Sequence, residues 1–136
     1  MYSQWALSID DAKQIANACR ACANANNWSV VIAIVDEGGH TMYLERLDGT
    51  QKASSVVAVE KAKTALLFKR PTQAIEAVVA AGRNVMMMLP GATPIEGGLP
   101  LVRDGQFVGA IGISGVQSHE DGVVAAAGVA HFATLS

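Results

Sequence analysis

Several side chains in this 136-residue chain belong to types that perform chemistry, and their spacing limits which chemistry that is. His40, His119 and His131 lie far apart and form neither an HxxxH nor an HxxE pattern, so they do not spell a dedicated zinc centre. His40 follows the pair Gly38-Gly39, and His119 precedes Glu120-Asp121, both places where a ligand can be met. One imidazole suffices to ligate a haem iron, so each is a candidate axial donor, with a solvated turn histidine as the bland alternative. Arg46 and Lys61 are candidate clamps for a carboxylate or a propionate, the first as a bidentate fork and the second as a point charge. Asp36, Glu96 and Asp121 are acids in similar settings, and ordinary salt bridges are the competing reading. With Arg46 or Lys61 holding an anion and Glu96, Asp121 or His119 moving a proton, the same set suits a lyase, isomerase or deaminase acting on a small carboxylate without a cofactor.

Glycine is the other signal. The stretch MMMLPGATPIEGGLP, from Met86 to Pro100, joins three methionines to three prolines and a glycine pair, which suits neither a helix nor an ordinary hairpin. It reads as a pocket-forming crossover in which Pro90 and Pro94 fix the path and Gly97-Gly98 expose backbone N–H groups to an anion. Met86, Met87 and Met88 could ligate a metal or haem, but packing beneath the loop is the favoured reading. GAIGISG is GxxGxxG rather than GxGxxG and is a weak phosphate cradle; glycine within strands more often admits another backbone. Cys19 and Cys22 form a CxxC inside a helical stretch, where they read as small packing thiols rather than a redox pair.

These residues have to be positioned by elements that the periodicity makes legible. Ser8 and Asp11 form a carboxylate capping box for a helix over Asp10 to Ala25, whose small residues share one face. WSVVIAIVD is a β-branched run fit for a strand covered on both sides, and DEGGH turns it into TMYLER as a hairpin. A helix is predicted from Gln51 to Lys69, then Pro71 and a shorter helix capped by Thr72 running to Ala81. Asn84 to Leu89 is ambiguous between a strand and a helical turn. Asp104-Gly105 marks a second hairpin, and a last helix covers Ser118 to Thr134. Hairpins separated by helices predict an α+β domain with an antiparallel sheet, spanning residues 1 to 136 as one unit.

Bulk properties exclude whole classes. The chain is 51% hydrophobic and 16% charged with a net charge of −2, and its basic residues are scattered, so the electrostatic footprint of a nucleic-acid binder is missing. No apolar run approaches the roughly 18 to 20 residues of a membrane span. The opening MYSQWALSIDD lacks the basic and apolar regions of a signal peptide, which predicts a cytoplasmic protein. So apolar a composition at this length predicts a homo-oligomer that hides part of its surface in subunit interfaces.

The segments VVIAIVDEGGHTMYLERLDG, AVEKAKTALLF and PGATPIEGGLPLVRDGQFVGAIGISGVQSHEDGVVAAAG, in this order from Ser8 to Gly128, resemble the GlcG/HbpS-like haem-binding proteins. The same family includes the C-terminal domain of PduO-type corrinoid adenosyltransferases. The resemblance implies a profilin-like α+β sandwich, an antiparallel sheet of about five strands flanked by helices. It also implies dimers that often build octamers, genes in catabolic operons, and binding of haem or a related tetrapyrrole. Asp36, Gly39, Arg46, Asp48, Lys61, Gly97, Gly98, Ser114 and Asp121 match the family pattern. Of these, Asp36, Arg46, Lys61, Gly97, Gly98 and Ser114 are the implied ligand-binding set.

Overall fold

The computed structural model describes residues 1–136. Helix α1 spans Ile9–Ala25 and starts on the predicted capping box: Asp11 N–H donates to Ser8 Oγ and Ser8 N–H to Asp11 Oδ2, each at 3.0 Å. Strands β1 (Val31–Asp36) and β2 (Thr41–Arg46) follow, then helices α2 (Ser54–Leu67) and α3 (Thr72–Ala80). A 3-10 helix over Asn84–Met88 leads to β3 (Gly98–Arg103) and β4 (Gln106–Ser114), and α4 (Ser118–Phe132) closes the chain. Asp104 and Gly105 have φ of 52° and 75°, the left-handed pair that a two-residue hairpin turn requires.

The strands form one antiparallel sheet in the order β2-β1-β4-β3. It has four strands, not five. The stretch from Asn84 is a 3-10 helix because only Val85 in it is β-branched and Pro90 soon denies a ladder N–H. Two of its methionines do not pack beneath the loop as expected, since Met87 and Met88 are 56% and 79% exposed, while Met86 is half-buried.

Strand β1 is fully buried from Val31 to Val35 because both faces of the sheet are covered. Ile32 and Ile34 point with Ile111 and Ile113 into the larger core, built with Ala12, Ile15, Cys19, Val124 and Ala125 of α1 and α4. Val31, Ala33 and Val35 point the other way, onto Ala58, Ala62, Ala65 and Leu66 of α2. The alanines let α2 lie directly on the strands. At Gly112 a Cβ would strike the backbone of Ala58 and Ala62, so the glycine in this strand is there to admit a helix.

Candidate functional site

One end of the sheet gathers most of the polar residues singled out from the sequence. Lys61 on α2 and Asp121 on α4 lie on opposite faces, yet Lys61 Nζ donates to Asp121 Oδ2 at 2.9 Å and to the Ile113 carbonyl at 3.0 Å. The contact wraps around the sheet where β3 begins and β4 ends. Both side chains are buried, at 2% and 3% exposure. Asp121 Oδ1 also accepts the Val116 N–H at 3.2 Å. Burial pushes the Asp121 carboxyl above its ordinary range, against the opposing pull of the Lys61 hydrogen bond and charge.

Gly97 roofs this pair. Its φ is +132°, and a Cβ there would sit 2.6 Å from the Ile113 carbonyl and 2.9 Å from Lys61 Nζ. Of the glycine pair, Gly98 does not present a free N–H to an anion, because it donates to Thr72 Oγ1 at 2.9 Å, and both glycines are buried. Thr72 is therefore not a helix cap: Pro71 holds that position, and the hydroxyl is used to tie α3 to β3. Ser114 Oγ donates to Ser54 Oγ at 3.0 Å, another closed internal contact. No cavity opens on Lys61, Asp121, Gly97 or Ser114.

The remaining candidates are distributed. Arg46 pairs through its backbone with Val31, itself opposite Ser114, so it stands at the same end of the sheet but two strands away, exposed and without an ion pair. Glu96 is half-buried against Gly122 in the first turns of α4, with His119 exposed three residues earlier on that helix. Asp36 and His40 lie at the opposite end of β1, about 17 Å from Val31 at 3.3 Å per residue. There Asp36 Oδ1 accepts the N–H groups of Gly38 and His40, each at 2.9 Å, which shapes the turn and leaves His40 exposed. Arg46, Lys61, Glu96 and Asp121 thus do not face a common pocket.

A cleft of about 450 Å³ lies at this His40 end, among residues the sequence did not single out. Leu66, Leu67 and Lys69 at the end of α2, Phe107 of β4, Glu37 of the β1–β2 turn and Tyr2 line it. Only Lys69 carries a sequence cue, a cation placed just before Arg70-Pro71 where a helix must end. The two cysteines are where packing thiols belong: Cys19 is buried against Gly128, and burial pushes its thiol up to about 12.

A four-stranded antiparallel sheet covered by helices on both faces makes this an α+β protein. The family model for "Haem degrading protein HbpS-like" matches residues 7–130, and the chain belongs to that family. Protein GlcG of Escherichia coli K12 is 43% identical over 108 residues, covering 79% of this chain and 81% of GlcG. The crystal structure of Klebsiella pneumoniae protein ORFY superposes with a TM-score of 0.92 at 28% identity, covering 99% of this chain and 97% of that one. The crystal structure of a PduOC:heme complex superposes with a TM-score of 0.85 at 30% identity, covering 93% and 95%.

Proposed function

We propose that the chain is a cytoplasmic, homo-oligomeric protein that binds haem or a related tetrapyrrole, with His40 or His119 supplying the axial donor. The likeness to the heme complex over nearly the full length of both chains carries this reading. Both histidines are exposed and hence available to a ligand, in keeping with a single imidazole donor. Val56, Val85, Met87 and Met88 are large apolar side chains more than half exposed, which supports burial of those surfaces between copies as dimers within a larger assembly. No helix is long and apolar enough to cross a membrane.

Titration of the purified protein with hemin tests the reading directly. A saturable shift of the Soret band is expected, and its loss in His40→Ala or His119→Ala assigns the donor. Absence of any saturable shift overturns the reading. Light scattering on the same sample is expected to give a multiple of the 14.1 kDa chain mass; a monomer refutes the oligomer.

A further inference from the structure

Residues 1–8 form neither helix nor strand, yet they are seated on the sheet. Leu7 lies on β4 where Gly109 has no side chain, since a Cβ there would come within 2.7 Å of Leu7 Cδ1. Trp5 N–H donates to Gln106 Oε1 at 2.8 Å, and Gln106 Nε2 donates to the Ser3 carbonyl at 3.1 Å. The strap so pinned closes one side of a pocket of about 140 Å³. Val108 of β4 and Phe132 of α4, both buried, form its floor, and Trp5, Leu7 and Leu135 form its walls. A cavity of about this size admits a benzene ring.

Two charged groups border this apolar space without pairing to one another. The Arg103 guanidinium lies 5.0 Å from the centroid of the Phe132 ring, and its Nη2 donates to the Leu135 carbonyl at 2.6 Å and to the Phe132 carbonyl at 3.4 Å. These contacts fix the fork at the C-terminal end of α4 and leave Nε and Nη1 with no protein acceptor. No carboxylate lies within salt-bridge distance of it. Asp11, across the pocket mouth on α1, accepts the Ser8 N–H through Oδ2, and its Oδ1 accepts nothing from the protein. Capping α4 uses Nη2 alone and capping α1 uses Oδ2 alone, so each group keeps its other atoms for what enters the pocket.

We propose that this pocket binds a small planar ring bearing a neutral carboxamide. The ring fills the apolar space beside Trp5 and Phe132, the amide oxygen accepts from Arg103, and the amide N–H donates to Asp11 Oδ1. A ring carboxylate would satisfy the guanidinium equally well but would set a second anion beside Asp11, so the aspartate selects amide over acid.

Benzamide and benzoate are the probes. The chain has two tryptophans, so its two indole N–H signals in a proton–nitrogen NMR spectrum report on the pocket and on the core at once. Benzamide should move the Trp5 signal saturably and leave that of Trp28, which packs against the larger core, in place. Benzoate should bind about tenfold more weakly, and Arg103→Met should weaken benzamide by about the same factor. Asp11→Asn keeps an acceptor for the Ser8 N–H but removes the charge, so the preference for benzamide over benzoate should invert. A Trp5 signal that benzamide does not move saturably overturns the proposal, as does benzoate binding to the wild type as tightly as benzamide. A preference unchanged in Asp11→Asn refutes it too, and that comparison decides even if uncapping α4 unfolds Arg103→Met.

Discussion

Replacing Asp121 by alanine should strand the Lys61 ammonium in the interior. Lys61 is 2% exposed and its other recorded acceptor is the Ile113 carbonyl, so the charge has no short path to water. Removing one member of a buried pair typically costs about 3–5 kcal/mol, a large fraction of the roughly 5–15 kcal/mol that holds a domain together. Lys61→Ala strands the carboxylate instead and should cost about the same. The double variant Lys61→Met, Asp121→Leu buries no charge. It orphans two backbone groups, the Ile113 carbonyl and the Val116 N–H, at about 1 kcal/mol each, so it should lie only about 2 kcal/mol below the wild type. Urea denaturation measures this, and with the matching singles Lys61→Met and Asp121→Leu the double should reveal a coupling of about 3 kcal/mol or more. A cost for Asp121→Ala below about 1 kcal/mol, or simple additivity, would mean that the ammonium reaches solvent and that the pair is not the clasp between the two helical layers.

Gly97→Ala should cost about 2–3 kcal/mol, because it combines a left-handed φ with a Cβ pressed on the Ile113 carbonyl and Lys61 Nζ; Gly91→Ala, with φ of 77° and open space around it, should cost about 1 kcal/mol in the same urea assay. Iodoacetamide should label Cys22 but not Cys19 in the native protein, and both thiols in urea, as mass spectrometry would show. The Cys19 thiol also carries a pH signature. Between its ordinary value of 9.0 and the folded value of about 12, the native state keeps a proton that the unfolded state has released, so stability falls as pH rises, by up to about 1.4 kcal/mol per pH unit. In Cys19→Ala that slope should shrink to the part left by Tyr43, whose hydroxyl the hydrogen bond to Glu45 also pushes up; an unchanged slope places its origin elsewhere.

Local chemistry was legible wherever a few neighbouring residues decide the outcome. Ser8 and Asp11 announce the start of α1, Asp104-Gly105 the second hairpin, and the unbroken β-branched run a strand covered on both faces. The resemblance likewise led to the right family, carried by motifs whose order spans most of the chain. Partnership was not legible. Lys61 and Asp121 are sixty residues apart, and nothing in either segment says that each spends its charge on the other. Thr72 looked like a cap because Thr after a proline often is one, but its hydroxyl is taken by Gly98 N–H from twenty-six residues away. The methionines were assigned to packing on composition, whereas the 3-10 helix turns two of them outward.

The division between the two ends of the sheet follows from how their charges are satisfied. At the Ser114 end the lysine, the aspartate, the two serines and Thr72 are paired with one another or with backbone at ordinary hydrogen-bond distances, and Gly97 and Gly98 leave no room for a Cβ. A ligand arriving there would have to displace a buried ion pair that costs several kcal/mol to open. At the Asp36 end the aspartate shapes a turn, His40 is exposed, and Lys69 holds its charge over an aromatic ring beside a cleft lined by Leu66, Leu67 and Phe107 together with Glu37, Gln4 and Gln106. The Lys61–Asp121 clasp anchors α2 against β4, and α2 is the helix whose far end delivers Leu66, Leu67 and Lys69 to the cleft. Loosening the clasp should therefore free α2 to shift over the whole face of the sheet that it covers.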